Sequence, residues 1–168
     1  MKQWFALYTQ PRREKALDKE LAKRGIEAYL PLKSTLRQWK DRKKRVDMPL
    51  IPSYLFVKTE IQDFYNVLQL SGAVKFVYFE GKPVPVPQHQ IDSMRLLLDK
   101  EIEFEMRLAD VHVGDRVRIR EGRFAGLTGI VKNEKGKTRF CVVVDVLRLD
   151  LTIEIDKEEV QLVDIIKY

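Results

Sequence analysis

The sequence predicts an α+β protein in two parts: an N-terminal α/β sandwich over residues 1–108, then a small five-stranded β-barrel over 109–168. Three observations predict it. Apolar spacing between residues 3 and 98 switches between the period of two of a strand and the 3.6 of a helix, whereas beyond Asp110 every segment keeps a period of two. The stretch Val113 to Val131 sets a Gly114-Asp115 turn and a Val117/Ile119 strand before Gly122, Gly126 and Gly129. That is the pattern of a tight hairpin whose backbone needs conformations open mainly to glycine. Charge divides at the same place: residues 1–108 hold 20 Lys and Arg against 14 Asp and Glu, and residues 109–168 hold 11 of each.

Trp4, Ala6 and Tyr8 alternate with Phe5 and Leu7, as in a strand contacted on both faces. Pro11 and Gly25 then bracket a helix with Leu17 and Leu21 on its buried side. Ile26 to Leu32 reads as a strand, Lys33 to Asp47 as a charged excursion, and Leu50 to Thr59 as a second strong strand. Ile61, Phe64, Tyr65 and Leu68 give a second helix one apolar face, ended by Ser71-Gly72. Val74 to Phe79 is a strand, and Pro83, Pro85 and Pro87 keep the next stretch extended. Ile91, Met94, Leu97 and Leu98 then form the core side of a third helix. Glu101 to Arg107 reads as helix end and linker. In the second part Phe140/Val142/Val144/Val146 change parity to Leu147/Leu149/Leu151/Ile153/Ile155. A one-residue slip reverses the faces of a strand, so a bulge or turn is required near 147–151.

Composition narrows the function. A hydrophobic content of 45% suffices for packed cores and excludes a disordered chain. No apolar run approaches the about 18 residues of a membrane span, and no signal-peptide core precedes Gln10, so a cytoplasmic location is expected, away from membranes. The lone Cys141 cannot form an intramolecular disulfide and reads as structural filler. His89 and His112 lack the spacing of a metal pair, and Gly122 to Gly129 lacks the Gly-Lys-Ser/Thr ending of a phosphate-cradling loop. No catalytic residue, metal or cofactor is expected. A basic part beside a neutral one suggests that the first meets a polyanion and the second a protein.

The glycine-rich stretch resembles the KOW motif of transcription elongation factors and ribosomal proteins. Pro49-Leu50-Ile51-Pro52-Ser53-Tyr54-Leu55-Phe56-Val57 resembles the Phe-Pro-x-Tyr-Leu-Phe-Val segment of RfaH and the Phe-Pro-Gly-Tyr-Val-Leu-Val segment of NusG, departing at Ile51. Over residues 3–163 the chain is similar to the NusG family and resembles its specialised antiterminator paralogues, RfaH-like or UpxY-like. The resemblance implies an apolar aromatic face of Tyr8, Pro52, Tyr54 and Phe56 that holds the clamp helices of RNA polymerase, so that pausing and termination are suppressed. From the residues alone, the same aromatics could instead lie under a helix of their own domain.

Arg12, Lys15, Lys19 and Lys23 recur three or four apart along the first helix, a repulsive stripe better tolerated beside phosphate. Arg37, Trp39, Lys40, Arg42, Lys43, Lys44 and Arg45 crowd the charged excursion, which the resemblance equates with a hairpin facing upstream or non-template DNA. There the cations would release counterions while Trp39 stacks on an unpaired base; simple solvation is the alternative. Phe124, Leu147 and Leu149 fall where the family binds a partner through its KOW barrel, either a small-subunit ribosomal protein or Rho. Leu149 replaces the family's cation there, which leaves an apolar loop that could instead meet the first domain; the other reading of these residues is plain barrel core. RfaH can hold this region as a helical hairpin; the β-branched run at Cys141 to Val144 and the alternation from Leu149 to Asp156 favour strands instead. The resemblance implies a monomeric, operon-specific factor. The competing reading is a ribosomal or general RNA-binding KOW protein.

Overall fold

The structure, a computed structural model, describes residues 1–108 and 116–156, and the backbone of 163–166. His112, the Gly114-Asp115 turn and the expected boundary near Asp110 lie outside the described residues. The chain divides into two compact units, residues 1–85 and 86–168.

In the first unit β1 (Gln3–Thr9) is the central strand, flanked by β5 (Tyr54–Thr59) and β6 (Ala73–Phe76) in a sheet ordered β2-β5-β1-β6, with β2 at Ala28–Tyr29. Strand β1 pairs antiparallel with β5 in unbroken register from Gln3↔Thr59 to Tyr8↔Tyr54. One face carries Phe5, Leu7, Leu55, Val57 and Phe76, buried against Leu17 and Leu21 of α1 (Glu14–Lys23) and Phe64 and Val67 of α2 (Phe64–Leu68). Alternation thus sends odd residues of both strands to the helices and even ones to the opposite face. Helix α1 ends in a Schellman arrangement: Gly25 at φ 68° lets its own N–H reach the Ala22 carbonyl and that of Ile26 reach Leu21.

Two expectations shift. Residues Ile61–Asp63 form a 3₁₀ turn, so the phase of the second helix changes: Phe64, Val67 and Leu70 are buried while Ile61 and Tyr65 stand in solvent. The charged excursion is a regular two-stranded ribbon, β3 (Leu32–Gln38) with β4 (Lys43–Pro49), in full register from Leu32↔Pro49 to Gln38↔Lys43. A short hairpin follows, β7 (Tyr78–Phe79) with β8 (Lys82–Pro83), and β9 (Pro85–Val86) lies at the division between units.

The second unit contains α3 (Gln88–Asp99) and a sheet of β10 (Glu105–Leu108), β11 (Arg116–Ile119), β12 (Thr128–Glu134), β13 (Lys137–Val144), β14 (Leu149–Glu154) and β15 (Val163–Ile166). The order is β10-β14-β13-β12-β11-β15, antiparallel throughout. The parity change resolves as a 3₁₀ turn at Asp145–Leu147 followed by Arg148 at φ 51°, and residues 140–144 and 149–154 are strand. Gly122 and Gly126 have positive φ, but Gly129 is required for space: an added Cβ would collide with the Cys141 carbonyl across the sheet and meet the Phe140 ring at 2.9 Å.

The division differs from the expected 1–108 and 109–168. Glu105–Leu108, read as linker, pairs with β14 through four residues. Helix α3 is anchored on the second unit by a buried reciprocal pair, in which the Ser93 hydroxyl donates to the Thr128 carbonyl (3.3 Å) and accepts the Thr128 N–H (3.0 Å). Gln90, also buried, grips Asp145 through the carboxylate (2.5 Å) and the backbone N–H (3.3 Å).

Candidate functional site

The even face of β1 and β5 brings part of the expected aromatic set together. Tyr8 lies directly opposite Tyr54, their ring centroids 5.3 Å apart and tilted by 57°, both half-buried. On the other side of Tyr8, β6 places the exposed Lys75. Phe56, two residues further along, is wholly buried and stacks on Tyr29 at 6.3 Å. It therefore supports the face from within rather than standing as an exposed anchor: the neighbour opposite it is the small Ala6, and its ring is covered.

Pro52 is exposed in the turn that leads into β5. Ser53 sits at φ 63°, the left-handed region, where the NusG segment has glycine. Its N–H donates to the Glu14 carboxylate (2.8 Å), its carbonyl accepts the Thr9 N–H (2.8 Å), and the Tyr54 N–H reaches the Ile51 carbonyl (3.3 Å). The buried Glu14, from the first turn of α1, thus clamps the turn that aims Tyr54 at Tyr8. Neither Glu14 nor Ser53 stood out in the sequence, although Glu14 falls in line with Leu17 and Leu21 on the apolar stripe of α1.

The basic residues separate into distinct roles. Arg12 is exposed but precedes the helix, at φ 65°, so it does not belong to a helical stripe. Lys15 donates to the Asp47 carbonyl (2.5 Å) and ties α1 to the foot of the ribbon. Lys23 pairs loosely with Glu20 (3.8 Å), and Lys19 is exposed. On the ribbon, Arg37 is directly opposite Lys44, with no ion-pair partner for either among the described residues. Like charges facing each other across a hairpin destabilise it. Lys43 and Arg45 project from the other face, and the tip closes where the Trp39 N–H donates to the Arg42 carbonyl (2.8 Å), with Lys40 and Trp39 exposed, the latter by 57%. The ribbon foot is held by the Leu50 N–H on the Pro31 carbonyl and by a Ser34–Asp47 side-chain hydrogen bond.

In the second unit Leu147 and Leu149 are partly exposed around the 3₁₀ turn. Phe124 is not: it is 2% exposed, with the Arg123 guanidinium 4.3 Å above its ring. The sequence missed Leu108, which β10 sets directly opposite Leu149 and leaves 81% exposed. Arg116 bridges the His89 ring (2.6 Å) and the Asp145 carboxylate (2.9 Å). Burial, followed by the Arg116 charge, holds the His89 pKa below the usual imidazole value. Cys141 is buried beside Thr152, and burial pushes its thiol pKa up, the opposite of an activated nucleophile. Among the described residues no group of three or more His, Cys, Asp or Glu is placed to hold a metal ion, and no helix is long and apolar enough to cross a membrane.

Fold and surfaces define a two-part α+β protein in which an α/β sandwich bearing a cationic ribbon precedes an antiparallel sheet. A sequence model of the NusG family, described as transcription termination factor NusG, matches residues 2–95, more than half of the chain, and the chain belongs to that family. It is 29% identical over 178 aligned residues to the transcription termination/antitermination protein NusG of Staphylococcus carnosus strain TM300, covering 95% of both chains. To the protein of that name from Lactococcus lactis strain IL1403 it is 24% identical, over 94% of this chain and 91% of the relative. A solved structure on domain interaction in Thermotoga maritima NusG aligns with 99% of this chain and 98% of its own at 21% identity and a TM-score of 0.48.

Proposed function

We propose that the chain is a transcription elongation and antitermination factor whose first unit binds RNA polymerase and whose second recruits a further protein. The observation that carries this reading is the Tyr8–Tyr54 pair: two half-exposed rings held in fixed geometry by strand register and by the Glu14-clamped turn, with Pro52 beside them. Aromatic pairs of this kind supply large contact area at low entropic cost, the chemistry of an interface anchor. A helical coiled coil such as the polymerase clamp offers the apolar ridge that such a face fits. The ribbon, with Arg37, Lys40, Arg42, Lys43, Lys44, Arg45 and the exposed Trp39, then reaches upstream or non-template DNA. Leu147 and Leu149 take the partner, a small-subunit ribosomal protein or Rho, and the absence of the family's cation at Leu149 supports an operon-specific role in the bacterial cytoplasm. No step of this role calls for catalysis.

Binding of the full chain to core RNA polymerase tests the reading. A Tyr8→Ala/Tyr54→Ala variant is expected to lose at least about tenfold in affinity, a ΔΔG of about 1.4 kcal/mol. A variant in which a two-residue turn replaces residues 37–45 is expected to keep polymerase binding and lose DNA binding. Full polymerase affinity in the double alanine variant would overturn the assignment of the site. Loss of RNA binding alone on removing the ribbon would favour the ribosomal or general RNA-binding alternative.

A further inference from the structure

Strand β10 ends its sheet: β14 pairs with one edge, and among the described residues no strand pairs with the other. Met106 is 45% and Leu108 81% exposed, on the same side of the sheet as Leu151 and Leu149 opposite them. Glu105 and Arg107 point to the other side, where they join Glu134 and Arg139 in a cluster of two acids and two bases: Arg107 reaches Glu105 at 2.5 Å and Glu134 at 3.0 Å, and Arg139 reaches Glu134 at 3.1 Å. Charges on an edge strand ordinarily discourage pairing with other chains. Here their order, an acid and a base on either side of Met106, is complementary to itself.

The geometry points to a second copy of this chain as the occupant of the β10 edge, in an antiparallel, two-fold symmetric pairing centred on Met106 that continues the sheet from one protomer into the next. In that register Glu105 of each copy faces Arg107 of the other and the two Met106 side chains meet on the apolar side. Sliding by one residue sets apolar against charged faces. Sliding by two sets Glu105 against Glu105 or Arg107 against Arg107. Only the centred register satisfies both faces, and the balanced cluster adds no net repulsion. Four residues of edge bury far less than the about 1,200 Å² of a stable interface, so association is weak and driven by concentration. This inference does not depend on the polymerase reading.

Sedimentation velocity on the full chain between about 10 μM and about 1 mM is expected to show a rising average mass. Arg107→Glu and Glu105→Arg each replace two attractive cross-pairs by repulsive ones and are expected to weaken association about tenfold or more. An equimolar mixture of these two variants, one doubly acidic and one doubly basic at the edge, is expected to associate again. The double reversal Glu105→Arg/Arg107→Glu restores self-complementarity and is expected to match the unmodified chain. A chain that stays monomeric throughout, or an association that neither single reversal weakens, would overturn the proposal; so would failure of both the mixture and the double reversal to recover it.

Discussion

The two units use the same kinds of charged side chain to different ends. Residues 1–85 hold 17 Lys and Arg against 9 Asp and Glu, and residues 86–168 hold 14 against 16. On the ribbon of the first unit two cations stand opposite one another, Arg37 facing Lys44, while elsewhere in that unit Arg24 pairs with Glu20 and Lys58 with Glu27. In the second unit cations are drawn into the fold: Arg107 and Arg139 with Glu134, Lys137 with Glu154, Arg116 with Asp145 and Lys132 with Asp150. A basic residue is thus available to a polyanion or committed to its own sheet according to what the cross-strand register sets opposite it. Net charge reports the sum of these roles, and only pairing separates them.

Substitutions can break or sharpen this contrast. The largest effect is expected from Gly129→Ala, which forces a methyl group into the Cys141 backbone and should cost about 3 kcal/mol, read as a shift in the urea midpoint of the second unit. Lys132→Met removes the ammonium 3.5 Å from the buried Asp150 carboxylate, with an expected loss of about 2 kcal/mol in the same melt and no change in DNA affinity. A smaller effect is tied to pH. Because the folded state depresses the His89 pKa, the unfolded chain takes up its proton first as pH falls through 6.5, and stability of the second unit drops from there toward the depressed folded value. Above 6.5 that stability is fully present, and His89→Gln should flatten this part of a stability-against-pH curve. The smallest change in stability is expected from Lys44→Glu, where an acid opposite Arg37 stabilises the ribbon by about 0.5 kcal/mol. That variant should nonetheless lower DNA affinity and reduce its salt slope by about 1 or more, whereas reversing a base of the second unit should leave both alone.

Much of the fold was legible because local rules govern it. The alternation of Trp4 to Tyr8, the Leu17/Leu21 stripe, the Gly25 cap and the parity break before Leu149 all became the elements they implied. Where the reading slipped, a short-range event had moved the phase or a weak pattern hid a strand. The 3₁₀ turn at Ile61–Asp63 carried Tyr65 out of the core, and Glu105-Met106-Arg107-Leu108, with two charges in four residues, reads as linker until β14 is seen beside it. At the aromatic face, alternation placed Tyr8, Tyr54 and Phe56 together, yet it could not tell the half-exposed pair from the buried ring that stacks on Tyr29.

By itself the sequence determined the class of most elements, the two-part organisation and the cationic character of the first part, because these depend on periodicity, turn chemistry and composition over a few neighbouring residues. Tertiary structure alone decided which of those residues are usable. Glu14 became a clamp on Ser53, Lys15 a tie to Asp47, Gly129 a point of strand contact and Leu108 a neighbour of Leu149 through contacts between residues 12 to 41 positions apart. Burial and pairing are properties of what lies opposite a side chain in space, and no local pattern along the chain encodes that.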